Sequence, residues 1–304
     1  MFSKTIRPVF IGLLICLLYA GHLSPALSDN SGNSGNKHFL WRVSSETNNV
    51  YILGSLHLLN EKHYPLSEVY ENAFDDSRIL VFEVDPGVLD EPETARMMLS
   101  KATLPRDKTL SGVLSEETYT LTKEKLGDMG VNIIMFSKSK PWFIALTAGM
   151  LKLKSMGLNP EYGLDRYFYD RAAEEDKEVV GLETAEYQVD LLASVGGDKQ
   201  DELLLQTLTE LDLMEEEINK LIAAWSSGDD ERFETIIFKS YEGYPEIYER
   251  LIVERNKNWL PRIEEFTGAG ENYMVVVGSA HLVGKDGLIN LLRKKGHEVE
   301  QMQD

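Results

Sequence analysis

Two histidines stand in the same five-residue setting. Gly54-Ser55-Leu56-His57-Leu58 follows Val50-Tyr51-Ile52-Leu53, and Gly278-Ser279-Ala280-His281-Leu282 follows Tyr273-Met274-Val275-Val276-Val277. Both preceding runs are β-branched and apolar. Each reads as a buried strand ending at a glycine, where the backbone can turn sharply and present a side chain three residues on. Ligands of open α/β sheets gather beyond the carboxyl ends of the strands. A single strand-end histidine is more often a polar loop cap, but two in one context point to a shared site. They are candidate metal ligands or acid–base groups.

Glu83 lies inside Val81-Phe82-Glu83-Val84. A carboxylate in an apolar strand must be partnered or pay desolvation, unless alternation turns it to solvent. Two imidazoles and one carboxylate with open positions would bind a divalent ion such as Mn, Fe, Co or Zn. Arg255 falls on the helical stripe Leu251, Arg255, Trp259, Ile263. It suits either a donor aimed at a carbonyl or carboxylate in a cleft, or a side chain snorkelling over apolar surface, which the spacing alone favours. Asn256 is ordinary by itself. Glu183, at the end of a short strand, can act in the site or cap the next helix, and Asp165 after Gly163-Leu164 is equally ambiguous. His38 and His297 lack the motif context, and His63 is a weaker, supporting candidate.

The elements that must position these residues follow from periodicity. Phe39–Val43 and Val50–Leu53 read as strands joined by the polar turn 44–49, and Arg78–Asp85, Val179–Leu182, Tyr273–Val277 and His297–Met302 as further strands. Helices are expected near 66–76, 91–101, 115–129, 141–156, 163–176, 184–194, 199–226, 229–239, 245–266 and 285–294. Pro141 suits a first helical position, and the run after it is apolar nearly all round, as in a core helix. The two ends of the chain echo each other: strand, Gly-Ser-x-His-Leu, helix, strand. An α/β (α+β) fold is expected, with duplicated units around one cleft under a mostly helical cover. Its sheet is parallel or mixed.

Residues 1–28 read as a secretory signal peptide: Lys4 and Arg7, the apolar stretch Val9–Ala20, then Ala26-Leu27-Ser28 as a cleavage site. The apolar stretch is short for a membrane span, and an uncleaved anchor is the alternative. Residues 29–37 are rich in Ser, Gly and Asn and read as a flexible linker. A secreted or periplasmic location follows. Cys16 is the only cysteine, so the mature chain would lack any cysteine nucleophile or thiolate metal site. Cleavage near Ser28 leaves 29 basic against 50 acidic residues, a net charge of −21. That balance argues against nucleic acid or an anionic membrane as main partner. Membrane contact is expected only through an uncleaved N-terminal anchor.

Together the segments Leu53-Gly-Ser-Leu-His57, Val81-Phe-Glu83, Tyr162-Gly-Leu-Asp165, Gly181-Leu-Glu-Thr184, Arg255-Asn256 and Val277-Gly-Ser-Ala-His281 resemble the TraB/PrgY/GumN family, which includes the TIKI metalloproteases. The likeness runs from Trp41 to Gln301, so residues 38–304 are expected to form a single domain of that kind. It implies a fold like the erythromycin esterase and ChaN proteins, with paired small sheets and surrounding helices, and a metal-dependent hydrolase. His57, Glu83 and His281 match the family's Gly-x-x-His and glutamate positions, Arg255-Asn256 its Arg-Asn pair, and Glu183 its Gly-Leu-Glu-Thr segment.

The expected chemistry is cleavage of a peptide or similar amide. One divalent ion on His57, Glu83 and His281 would lower the pKa of water and polarise the scissile carbonyl. Glu183 would serve as general base, and Arg255, helped by Asn256, would stabilise the oxyanion or fix a substrate carboxylate. The rival expectation is a non-catalytic binding protein for a peptide, a pheromone or a haem on the same fold. A hydrolase for another bond, such as an ester, is the third.

Overall fold

The apolar runs flanking the candidate residues lie side by side in one sheet. The computed structural model describes residues 36–304. The expected signal peptide and linker residues 29–35 fall outside the described residues. The strands are β1 (Lys37–Ser44), β2 (Asn49–Ser55), β3 (Ile79–Phe82), β4 (Glu178–Gly181), β5 (Tyr273–Gly278) and β6 (Val299–Gln303). They form a six-stranded mixed sheet in the order β4-β3-β5-β2-β1-β6. The pairs β4/β3, β3/β5 and β5/β2 are parallel, and β2/β1 and β1/β6 antiparallel.

Composition explains the order. Strand β3, and all but the first residue of β2 and β5, are buried on both faces, as parallel strands covered by helices must be. The edges are more polar: β4 is only half buried and begins with the exposed Glu178, and β6 carries the exposed Glu300, a charge that discourages further pairing. The turn between β1 and β2 is closed by Ser45 N–H to Asn48 O (3.0 Å), as its polar composition suggests. Where paired small sheets were expected, a single sheet holds both halves of the duplicated pattern. The insertion of β5 between β3 and β2 fuses them.

The role of Gly54 differs from the turn expected of it. Strand β2 continues through Gly54 to Ser55, and Gly54 has no left-handed backbone. A Cβ there would lie 2.7 Å from Phe39 Cδ1 and 2.9 Å from Ser279 Oγ. The glycine allows close approach of the second motif to the first rather than a bend.

Helices surround the sheet close to their expected bounds. Pro141–Ser155 begins with its proline in the first turn and buries Trp142, Ile144, Ala145, Leu146 and Ala148. The expected helix 199–226 is two, Gln200–Glu210 and Met214–Ser226, because the chain turns at 211–213 to bury both Leu211 and Met214. The expected helix 245–266 is continuous but widens into a π turn at Glu249–Val253, immediately before Glu254–Phe266. Among the described residues no helix is long and apolar enough to cross a membrane.

Candidate metal and catalytic site

Four neighbouring parallel strands each deliver one candidate just past their carboxyl ends. Along the sheet, Glu183 follows β4, Glu83 follows β3, His281 follows β5 and His57 follows β2. Register keeps them level: Phe82 pairs with both Gly181 and Val276, and Ser55 with Gly278. The site is thus a row of side chains at one sheet end, where the strand-end rule places ligands.

The His57 half is held by an acid. His57 Nδ1–H donates to Asp165 Oδ2 (2.7 Å), and Ser55 Oγ–H donates to Asp165 Oδ1 (3.2 Å). Asp165 sits in the first turn of the helix Leu164–Glu174 and is buried. Gly163 makes this possible: a Cβ on it would lie 2.3 Å from the His57 carbonyl oxygen, so only glycine lets this helix start against the His57 backbone. With Nδ1 engaged, Nε2 of His57 is buried and has no hydrogen-bond partner. Beside it opens an apolar cavity of about 30 Å³ between Leu56, Leu58, Leu153, Leu158, Leu221 and Ile222.

The His281 half is held by an amide. Asn256 donates through Nδ2 to the carbonyls of His281 (3.0 Å) and Asp286 (2.8 Å), which fixes its amide orientation. Its Oδ1 therefore accepts from His281 Nδ1–H (2.7 Å). Nε2 of His281 is left as an acceptor and receives Arg255 Nη1–H (3.0 Å). Asn256 is thereby committed to positioning His281, with both donor hydrogens engaged on carbonyls.

Arg255 is fully buried, not snorkelling. Its five N–H groups reach Glu83 Oε2, both Glu183 oxygens (3.1 and 2.7 Å), His281 Nε2 and the carbonyl of Leu251 (3.2 Å). Trp259 stacks under the guanidinium at 4.5 Å and donates Nε1–H to Glu183 Oε2 (3.1 Å). Glu83 is buried too, past the end of its strand, and its Oε1 accepts Gly278 N–H (2.8 Å). A guanidinium surrounded by two carboxylates balances their burial, which neither could bear alone.

The same contacts drive the titration of these groups apart. Burial opposes ionisation of Glu83, but the Arg255 charge, helped by His57 and the Gly278 N–H, outweighs it and holds its carboxyl below the usual range. Burial raises Glu183, and Arg255 offsets this only in part because Glu83 adds repulsion. Burial opposes a charged His57, yet the Asp165 carboxylate prevails and raises it. Burial and the Arg255 charge push His281 down to about 3, so it is neutral at physiological pH. Carboxylates pushed in opposite directions are the pattern of divided acid and base roles.

The donor set fits a divalent cation in its chemistry. Both imidazoles have Nδ1–H tied back, leaving an Nε2 lone pair, the arrangement in which a second partner orients a metal-binding histidine. The orphaned Nε2 of His57 is the observation that favours it. Among the described residues no group of three or more His, Cys, Asp or Glu is arranged to hold an ion. Arg255 accounts for this, since its Nη1 stands at the His281 Nε2 that such an ion would need. The partners that complete the site leave little trace in the sequence. Asp165 carried only the Gly-Leu-Asp signal, Trp259 read as core, and Gln188, 3.4 Å from both Glu83 and Glu183, had no signal. His63 instead hydrogen-bonds within its own turn at Asn60, in the 3₁₀ helix Glu61–His63.

The model of the TraB/PrgY/gumN family matches residues 39–301. The chain belongs to that family. Among its relatives is a protein described as uncharacterized, YbaP of Escherichia coli (strain K12), 26% identical over 259 residues, covering 85% of this chain and 89% of the relative. YbaP of Shigella flexneri, described in the same words, is 25% identical over 260 residues, with 84% and 94% covered. No solved structure matches. The matched span includes every strand-end residue of the site in this TraB/PrgY/gumN chain.

Proposed function

We propose that the protein is a secreted or periplasmic metal-dependent hydrolase of peptide or similar amide bonds, with His57, Glu83 and His281 holding one divalent ion. The likeness to the erythromycin esterase and ChaN proteins is proposed at the level of the repeated strand–Gly-x-x-His unit. The observation that carries the reading is the unpartnered, buried Nε2 of His57, whose Nδ1–H is fixed by Asp165. When bound, the ion would supply an acidified water and a polarised carbonyl. Asp165 and Asn256 orient the two imidazoles and fix their tautomers. Glu183, its carboxyl raised by burial, is suited to take a proton from that water and return it to the leaving amine. Arg255 holds both carboxylates in place. It can turn to a substrate carboxylate or developing oxyanion only by releasing a present acceptor, and His281 Nε2 is the one an ion would also claim.

A second reading, a binding protein without turnover, is favoured by the closed state of Arg255, whose donors are all engaged. Incubating the purified protein with a peptide mixture, with and without Mn, Co and Zn, and reading products by mass spectrometry separates the two. The hydrolase should release fragments only with metal. His57→Ala and His281→Ala should each lose bound metal by elemental analysis while remaining folded. Full metal content in both variants would refute the ligand assignment. Absence of product under every metal would leave the binding reading standing.

A further inference from the structure

The two most exposed large apolar side chains among the described residues are neighbours. Ile134 is 72% and Met135 77% exposed, on the 3₁₀ turn Ile133–Phe136 between two helices of the cover. Leu99, 57% exposed, lies on the helix Pro92–Ala102, whose end is bonded to the same region. The turn is built, not loose: Asn132 Oδ1 accepts from Ile134 N–H (3.0 Å), and Ile133 anchors it in the core. Isolated exposed apolar residues need no explanation, but adjacent ones on a capped, ordered tip do.

The surroundings supply the explanation. Segment 102–110 is bonded to segment 137–140 by Leu104 N–H to Lys138 O (2.7 Å), Leu110 N–H to Ser137 O (2.9 Å) and Lys140 N–H to Ala102 O (2.7 Å). This pairing collects Arg106, Lys108, Lys138 and Lys140 beside the tip, with Asp107 the one acid in these two segments. Lys138 Nζ is steadied by the carbonyls of Arg106 (2.9 Å) and Lys108 (2.7 Å), which hold it without neutralising it. Lys101, nearby, is paired to Asp190. The chain carries 50 acidic and 31 basic residues, so this local excess of base runs against its overall balance.

We propose that the Ile133–Phe136 turn and its basic collar form a docking tip for an anionic lipid surface. Ile134 and Met135 would enter the boundary between headgroups and acyl chains, while Arg106, Lys108, Lys138 and Lys140 meet the lipid phosphates. Charge complementarity selects this partner. An apolar wedge flanked by bases binds through buried area plus attraction to anionic headgroups, the two components of interfacial membrane binding. The overall negative charge limits the contact to this face and orients the protein on the bilayer. The tip makes no use of the strand-end site, so the inference stands apart from the hydrolase reading.

A local reporter tests it without confusion from the apolar N-terminal segment. The full chain carrying Cys16→Ser and Ser137→Cys is labelled with an environment-sensitive fluorophore and mixed with phosphatidylglycerol or phosphatidylcholine vesicles. The expected result is a blue shift with phosphatidylglycerol that saturates with lipid, weakens with added salt and is absent with phosphatidylcholine. Adding Ile134→Ser with Met135→Ser, or Arg106→Glu with Lys108→Glu, should raise the lipid concentration for half-saturation at least tenfold. All these side chains are exposed, so the melting temperature should stay the same. An unshifted spectrum with phosphatidylglycerol, or a shift that survives both pairs of substitutions, would overturn the proposal.

Discussion

The two Gly-Ser-x-His-Leu segments leave neighbouring strands in level register, yet their surroundings complete them differently. His57 is backed by the carboxylate of Asp165, whereas His281 is backed by the amide of Asn256 and faces a guanidinium. The serines diverge as well. Ser55 donates to Asp165, while Ser279 donates to the Ser55 carbonyl and ties the two loops together (2.9 Å). A repeated motif therefore fixes where an imidazole emerges, but the elements packed against it fix its charge. One copy is drawn toward the protonated form and the other is held neutral.

The largest test of this contrast removes what keeps the halves in balance. Arg255→Met leaves Glu83 and Glu183 buried without their cation and should cost about 3–5 kcal/mol by urea denaturation. A loss below ~1 kcal/mol would mean the cluster tolerates its charges by other means. Exchanging the partners comes next. Asp165→Asn should lower the His57 pKa in an NMR titration and weaken metal affinity or activity by about 10–100-fold. Asn256→Asp should raise the His281 pKa from about 3. If neither ring responds, the partners do not set the charge.

Close packing between the halves gives a smaller effect. Gly54→Ala puts a methyl against Phe39 and Ser279 and should destabilise by about 1–3 kcal/mol. An unchanged urea midpoint would show that the two motifs are not held in contact. Smallest per pH unit is a pH dependence with two separate windows, read on chelator-treated protein. His57, raised above the ordinary value near 6.5, contributes stability present below that pH and lost as pH rises through its folded value. His281, depressed to about 3, contributes stability present above 6.5 and lost as pH falls from there toward 3. His57→Gln should flatten the alkaline loss and His281→Gln the acid loss, each by about 1.4 kcal/mol per pH unit at most. The reverse pairing of variant and window would invert the comparison.

Much of this arrangement could be read from the residues alone. The strands around both motifs, the strand-end positions of Glu83 and Glu183, and most helix bounds follow from apolar runs and period. The neighbour relation did not, because nothing in the local sequence says that β5 enters between β3 and β2. Arg255 was ambiguous for the same reason: its stripe reads as a core face, and the acids that neutralise it lie 172 and 72 residues away. The break at 211–213 was hidden because Leu211-Asp212-Leu213 contains no Gly or Pro, and tertiary burial of Leu211 and Met214 decides it. Asp165 is ambiguous in the sequence because its partner is set by helix docking against the His57 backbone, which only the clearance at Gly163 reveals.

The central place of β5 has a kinetic meaning. The strands β2 and β3 do not pair with each other; both wait for Tyr273–Gly278 to join them. As the polypeptide emerges from the ribosome, the β1–β2 hairpin and the β3–β4 pair can exist only as detached fragments, and such long-range closure is slow. Arg255, Asn256 and His281 emerge late in synthesis as well. The cluster of Glu83, Glu183, Arg255 and His281 can therefore assemble only once synthesis has passed the last parallel strand.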